Sequence, residues 1–306
     1  MKQLRLQTIW LCIATINLIV YVAPVAPHKV LVFGEAGGGS HYLVLEAIGK
    51  SLTRRGHNVT VFVSDMYTAE RDTTSMDFLV YKSSVTLQEW NDLLTNITSS
   101  YLTGGSFFSQ MKSQVAAAPI VFKLMRDQCN SALVNAHLLD KLRLDNYDVL
   151  IGDMYMMCAS LLGQALDVPY VLVSPPLPSS GHYAAMCTPI NPSYLPVVNT
   201  GYDSKMAFKA RVLNTIQIGM DYILGQYLYA DYDNLKQVHN IQPEISTFRA
   251  NGQARMWLIN SHISLDFPRP LFPNTVHVGG LMTGPAQPLV GASICIMSSF
   301  KINDKF

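Results

Sequence analysis

Charged side chains are scarce in this sequence of 306 residues. Asp, Glu, Lys and Arg make up 14% of the chain, against roughly 25% in an average soluble domain. The formal net charge is only +1, so nothing indicates a surface for nucleic acid or another polyanion. Apolar residues contribute 49%, which is typical of a chain with a large buried core and lipophilic surfaces, not of a disordered one.

Cysteine is also sparse, and no two cysteines form a C-x-x-C pair. Four of them follow the N-terminal segment: Cys129, Cys158, Cys187 and Cys295. Their spacing supports neither a zinc site nor a disulfide-dense scaffold. Individually buried cysteines and a single disulfide pair both remain open. The chain also lacks internal repeats and low-complexity tracts.

The N-terminal segment resembles a secretory signal. Lys2 and Arg5 precede an apolar run over residues 9–23, which is short for a membrane span. We therefore expect residues 1–26 to be a signal peptide in preference to a retained anchor. The mature chain would then start in the secretory pathway.

Two sequons suit a chain of that pathway. They begin at Asn58 and Asn96, whereas Asn191 is followed by proline and is excluded. Asn96 lies in a polar stretch and is the better candidate for glycosylation. Asn58 opens a strand that we expect to be buried, which argues against its modification.

A βαβ unit over residues 29–62 opens the mature chain. Its first strand is followed by a glycine-rich turn, and His41 stands where the turn enters the helix. Open α/β sheets bind ligands at this edge. A nucleotide-cofactor oxidoreductase is disfavoured, because Tyr42 occupies the place of the third glycine in G-x-G-x-x-G. No Lys follows the glycines as it would in a P-loop.

A second βαβ unit follows at residues 147–174. The pattern predicts a strand at 148–151, a helix at 155–166 and a strand at 169–173, with Asp153 at the end of the first strand. Doubly wound topology places that strand beside the first strand of the chain, so Asp153 and His41 would face the same crevice. Taken singly, such a histidine is more often structural and such an aspartate a helix cap.

The remaining pattern adds helices and short strands. Residues 101–125 predict helix, where Phe107 and Phe108 would suit a pocket wall, although plain core helices explain them as well. Residues 205–229 predict one long helix or two, largely core. Short strands are predicted at 78–81, 254–260 and 276–278.

Several stretches together resemble the UDP-glycosyltransferases of the glucuronosyltransferase type. They are GSHYLVLEAIGKSLTRRGHNVTVF, YDVLIGD, NPSYLPVV and DFPRPLFPNTVHVGG, and the resemblance covers roughly residues 28–288. It implies an α/β chain of the GT-B fold, in which two Rossmann-like domains with parallel sheets flanked by helices face across a cleft. Residues 27–288 would be the N-terminal, acceptor-binding domain. The second domain of the family binds the UDP-sugar.

The same resemblance implies the roles of individual residues. The family histidine corresponds to His41 and the family aspartate to Asp153, while Asp148 precedes the strand and is the poorer match. Gly38, Gly39 and Ser40 could offer donors near the leaving phosphates. The implied reaction needs no cofactor and no metal. It joins a sugar from a UDP-sugar co-substrate, UDP-glucuronic acid or UDP-glucose, to a small lipophilic acceptor.

The sequence departs from the family pattern at its end. The donor-binding signature, the membrane helix and the basic tail of the family are absent, and residues 289–306 resemble nothing in it. We therefore expect the donor site to be missing and this chain to be inactive alone, in the lumen or at the membrane of the endoplasmic reticulum. The alternative is a non-catalytic isoform that binds lipophilic ligands, or that modulates full-length enzyme as a homo- or hetero-oligomer.

Overall fold

The computed structural model describes residues 26–34, 39–66, 74–102, 107–175, 177–197 and 200–284. Within these ranges the chain forms a seven-stranded, wholly parallel sheet in the order β3-β2-β1-β4-β5-β6-β7. The strands are β1 Lys29–Gly34, β2 Asn58–Ser64, β3 Asp77–Tyr81, β4 Val149–Asp153, β5 Tyr170–Ser174, β6 Met256–Ile259 and β7 Thr275–His277. The signal peptide and the tail expected at 1–26 and 289–306 fall, apart from Ala26, outside these ranges.

Helices connect the strands and cover both faces of the sheet. They are α1 Gly39–Thr53, α2 Leu87–Leu102, α3 Phe107–Leu133, α4 Ala136–Asp145, α5 Cys158–Leu166, α6 Ser180–Ala185, α7 Phe208–Val238 and α8 Thr247–Gly252, with a 3₁₀ turn at Ile263–Leu265. Searched over the described residues, no helix combines the length and the apolarity needed to cross a bilayer.

The first strand shows why the sheet is buried on both sides. Leu31 and Phe33 belong to one apolar cluster, and Val30 and Val32 belong to another on the opposite face. Side chains alternate across a strand, so a continuous apolar run fills two cores at once. The helix α1 covers one face with Val44, Leu45 and Ile48, among others, while α5 and the C-terminal half of α7 cover the other.

The order of the strands reverses beside β1. β2 and β3 lie on one side of it, and β4 to β7 lie on the other. β1 and β4 are hydrogen-bonded in parallel, with Phe33 opposite Gly152. Crevices form at such switch points because the connections leave β1 and β4 toward opposite faces. Both predicted βαβ units are confirmed, as is their adjacency in the sheet.

Two expectations for the helices were wrong in part. The helix after β4 begins at Cys158 and not at Tyr155, because residues 154–157 form a turn with Met157 in the left-handed region at φ 59°. The long helix α7 is present, but it is not largely core. Its C-terminal half is buried through Tyr229 and Tyr232, whereas apolar side chains of its N-terminal half such as Ile216 are exposed.

Close packing holds α5 against β4. A Cβ atom added to Gly152 would lie 2.4 Å from the Cβ of Ala159, closer than two carbon atoms can approach without displacement. Glycine at this position therefore allows α5 to lie directly on the strand that ends in Asp153.

A disulfide bond joins Cys129 of α3 to Cys158 at the start of α5. Of the two alternatives left open by the spacing, a disulfide is therefore present: among the three described cysteines Cys129 and Cys158 pair and are fully buried, and Cys187 is an exposed free thiol. The bond anchors the turn between β4 and α5 to a second helix, across a sequence separation of 29 residues.

Loss of this bond should lower stability without changing the fold. We expect Cys129→Ala combined with Cys158→Ala to reduce the free energy of unfolding by about 2–4 kcal/mol, because the unfolded chain gains the entropy of an open loop. Urea denaturation without reductant measures it. Cys187→Ala is the matched control and should leave the midpoint unchanged. A double variant as stable as the parent would show that the bond does not constrain the chain.

Candidate functional site

His41 lies in the first turn of α1, directly after the glycine-rich turn that follows β1. Gly39 starts the helix at φ 82°. Glycine adopts this left-handed conformation without a steric clash, because it has no Cβ atom. Three residues further, Tyr42 packs its ring against Gly34, where an added Cβ would lie 2.8 Å from the ring. This contact fixes the start of the helix on the end of β1, so the His41 side chain is held over the carboxyl edge of the sheet.

Asp153 is the last residue of β4, the neighbouring strand, and its side chain is almost wholly buried. The turn at residues 154–157 wraps around its carboxylate. The backbone N–H of Tyr155 donates to Oδ1 of Asp153 at 2.7 Å, which is the hydrogen bond of an Asx turn. The hydroxyl of Tyr232 also holds this turn, because it donates to the carbonyl of Met156 at 3.0 Å.

The two side chains meet across the ends of β1 and β4. Nδ1 of His41 lies 2.5 Å from Oδ2 of Asp153, and the exposed fractions of the two side chains are 28% and 2%. An ionised carboxylate can only accept a hydrogen bond, so Nδ1 of the imidazole donates and Nε2 carries the lone pair. The pair therefore holds the tautomer that a general base requires.

Two opposing effects act on the pKa of His41. Burial lowers it, while the hydrogen bond to Asp153 and the charge of that carboxylate raise it, and the net result is a raised pKa. Asp153 thus stabilises the imidazolium that forms when His41 takes up a proton. Such tuning by a buried carboxylate is frequent at catalytic histidines.

Two aromatic side chains beside the pair were not predicted as site residues. The ring of Tyr155 meets that of His41 edge-on, with centroids 5.8 Å apart, and it packs on the ring of His182 at 4.3 Å. Sequence reasoning placed Tyr155 in a helix and assigned no role to His182. Asp153, two residues before Tyr155, is a weak signal for a turn. No local sequence pattern predicts that His182 of α6 lies beside Tyr155.

Met156 of the turn belongs to the apolar core. Met156 packs with Trp90 of α2 and Met125 of α3 in a separate small cluster. Phe107 and Phe108, predicted to line a pocket, lie in the first turn of α3, but their side chains are outside the described part of the structure.

The predicted phosphate-side residues are only partly described. Gly39 and Ser40 form the exposed first turn of α1, where helix N–H groups lack intrahelical partners and can bind an anion. Gly38 lies outside the described residues. In the part of the chain that the structure covers, no group of three or more His, Cys, Asp or Glu residues is arranged to hold a metal ion.

A second His–Asp pair lies at the other edge of the sheet. Asp148 precedes β4 and contacts Nδ1 of His28 at 3.2 Å, with both side chains about half exposed. Asp148 also accepts from the backbone N–H of Lys29 at 2.8 Å. The structure thus separates Asp148 from His41, in line with the poorer match assigned to it.

The asparagines of both sequons are exposed. Asn96 is exposed within α2. The strand β2 is mostly buried, as expected, but Asn58 at its first position is exposed, because burial begins at Val59. Glycosylation of the two residues stays a prediction.

The fold and the site define a Rossmann-like α/β protein with a buried carboxylate that orients a histidine at the switch point of the sheet. The chain matches the UDP-glucoronosyl and UDP-glucosyl transferase family over residues 28–298, and it belongs to that family. The resemblance seen in the sequence is confirmed. So is the fold class, an α/β glycosyltransferase domain of GT-B type, by this match and by the observed parallel sheet.

Individual relatives show how much of such a protein the chain covers. It is 28% identical over 273 residues to UDP-glucuronosyltransferase 2B28 of Homo sapiens, covering 85% of this chain and 50% of the relative. Against UDP-glucuronosyltransferase 3A2 of Mus musculus it is 29% identical over 265 residues, covering 82% and 47%. The chain therefore spans about half the length of the curated relatives it matches.

Among solved structures, the chain aligns with the calicheamicin glycosyltransferase CalG4. Its TM-score is 0.48 at 13% identity, with 86% of this chain and 55% of that chain covered.

Proposed function

We propose that this chain is the acceptor-binding half of a UDP-glycosyltransferase that transfers a hexosyl or glucuronosyl group to a small lipophilic acceptor with inversion. The observation that carries the proposal is the 2.5 Å contact between Nδ1 of His41 and Oδ2 of Asp153. His41 is the general base in this scheme, and Asp153 orients it. Family membership supports a UDP-sugar as the donor.

The reaction follows from the tautomer that the pair holds. A hydroxyl group is a weak nucleophile at neutral pH. Nε2 of His41 takes its proton as the oxygen forms a bond to the anomeric carbon of the sugar. The bond from that carbon to the phosphate oxygen breaks, and its electron pair leaves with UDP. The carboxylate of Asp153 stabilises the imidazolium that results.

The surroundings of the pair suit the two substrates. The exposed first turn of α1 with Gly39 and Ser40 offers donors for a diphosphate, and Gly38 would extend it. The apolar cluster of Trp90, Met125 and Met156, which includes a residue of the turn after Asp153, suits a lipophilic acceptor. Phe107 and Phe108, in the first turn of the same helix as Met125, are proposed as further acceptor contacts.

The donor side and the location of the protein belong to the proposal as well. The chain matches only about half of each relative, so we assign the UDP-sugar site, for UDP-glucuronic acid or UDP-glucose, to a second domain. The buried disulfide supports folding in an oxidising compartment. Together with the predicted signal peptide it favours the endoplasmic reticulum.

The test is a transfer assay with a supplied donor half. This chain is joined to the C-terminal half of a matched UDP-glucuronosyltransferase and incubated with UDP-glucuronic acid or UDP-glucose and a lipophilic phenol. We expect a conjugate of inverted configuration by mass spectrometry and NMR. Product with retained configuration would contradict a single displacement driven by His41.

The alternative role makes a different prediction for the same materials. A non-catalytic isoform would bind the phenol by calorimetry, yield no conjugate in the joined enzyme, and co-precipitate with a full-length relative. The intact His–Asp pair favours the catalytic proposal, because a binding module has no need of an oriented base.

A further inference from the structure

Tyr155 contacts both members of the His41–Asp153 pair and the segment that follows β5. Its backbone N–H binds Oδ1 of Asp153 at 2.7 Å. Its ring meets the His41 ring at an interplanar angle of 82°. Its hydroxyl donates to the carbonyl of Leu177 at 2.5 Å, in the segment that follows β5. Through its backbone N–H, its ring and its hydroxyl, Tyr155 thus links the carboxylate, the base and this segment.

The segment bound by the hydroxyl is itself held in place. The N–H of Ser179 donates to Nδ1 of His182 at 3.3 Å, which caps the short helix α6. Burial lowers the pKa of His182 to about 4, so this imidazole is neutral at physiological pH. The rings of His41, Tyr155 and His182 form a row, and the pKa of His41, unlike that of His182, is raised by its carboxylate partner.

We propose that Tyr155 is a positioning residue that restrains the His41–Asp153 pair through its ring and couples the pair to residues 177–182 through its hydroxyl. The inference rests on the proposed function in that His41 is the base. The ring contact and the hydroxyl contact can be removed separately by substitution. Phenylalanine keeps the ring against His41 and loses the bond to Leu177, whereas leucine loses both.

The ring contact has a direct consequence for His41. Its imidazole is held by Asp153 through one nitrogen only, and rotation of the ring about the Cβ–Cγ bond would break that hydrogen bond and turn Nε2 away from an acceptor. The edge-on Tyr155 ring blocks such rotation on one side. Burial raises the pKa of Tyr155, so its hydroxyl remains a donor to Leu177 over the whole physiological range.

The coupling can be measured in this chain without a sugar donor. The Nδ1 proton of His41 gives a low-field resonance in ¹⁵N-labelled protein, and its exchange with water reports how well the pair is held. Hydrogen exchange followed by mass spectrometry reports the amides of residues 177–182. We expect Tyr155→Leu to accelerate both exchange rates by roughly 2- to 10-fold, the effect of removing one aromatic contact.

Tyr155→Phe should separate the two effects. The His41 proton keeps its position and exchange rate, while the amides of residues 177–182 exchange roughly 2- to 10-fold faster, as expected for one lost hydrogen bond. Tyr170→Phe is the matched control, because the Tyr170 hydroxyl also donates to a backbone carbonyl, that of Ala250, at the opposite edge of the sheet. It should change neither reading.

Each other outcome overturns the proposal. An unchanged His41 proton in Tyr155→Leu removes the restraint by the ring, and unchanged amides in Tyr155→Phe remove the coupling. Equal effects in Tyr170→Phe would show a general loss of stability. The proposed function fails differently. If His41→Ala kept normal turnover, His41 would not be the base, whereas the contacts of Tyr155 measured here would stand.

Discussion

Replacement of His41 by alanine should abolish most sugar transfer while leaving acceptor binding in place. We expect turnover of the joined enzyme to fall by about 10²- to 10⁴-fold, the contribution of a positioned general base. The acceptor should still bind, because the substitution leaves the apolar cluster of Trp90, Met125 and Met156 unchanged. Initial rates at saturating UDP-sugar measure the loss, and calorimetry with the phenol measures the binding.

His28 supplies the control for this variant. It is a histidine paired with an aspartate, as His41 is, but the pair with Asp148 is half exposed and lies at the amino edge of the sheet. His28→Ala should keep turnover near that of the parent. If His41→Ala also kept it with a hydroxyl acceptor, the assignment of the base would be wrong.

Replacement of Asp153 by asparagine should have an effect of similar size for a different reason. The asparagine amide can donate to Nδ1 of His41, which moves the imidazole proton to Nε2 and removes the lone pair that faces the acceptor. We expect turnover to fall by about 10²- to 10⁴-fold. The change preserves the volume of the side chain, so unfolding by urea should show a folded protein.

The pH dependence of this variant distinguishes loss of charge from loss of structure. Asp153 raises the pKa of His41 through its hydrogen bond and its charge. Without them the pKa falls, and His41 stays neutral to a lower pH. The acid limb of the remaining activity should therefore move to lower pH, and Asp148→Asn should leave the limb where it is. A limb displaced to higher pH in Asp153→Asn would refute the role of the carboxylate.

Local patterns in the sequence were enough to find the two strands that carry the site. The apolar run before the glycine-rich turn and the run before Asp153 are each buried on both faces, and such runs are visible without knowledge of the fold. A polar residue directly after a strand of this kind must lie at the carboxyl edge. The doubly wound order then brings His41 and Asp153 to adjacent strand ends.

The same patterns could not decide which surfaces are covered. The apolar period of α7 correctly predicts a helix, but whether a stripe such as the one containing Ile216 is buried depends on elements distant in sequence. Asn58 shows the reverse case. It is exposed although its strand is mostly buried, because burial begins at Val59. The helix period and the strand alternation indicate in which direction a side chain points. They do not indicate which element packs against it.

What the sequence determined by itself is the α/β class, the βαβ units and the nearness of His41 to Asp153, because strand alternation, helix period and glycine turns are local properties; the assignment of the two residues as a pair came from the family resemblance. Only the tertiary structure decided that Cys129 bonds Cys158, and that Tyr155 and His182 stand beside the base. These contacts join residues across helices and loops, where the packing of the whole domain selects partners. The two residues could thus be expected to meet from the sequence, whereas the side chains around them could be found only from the fold.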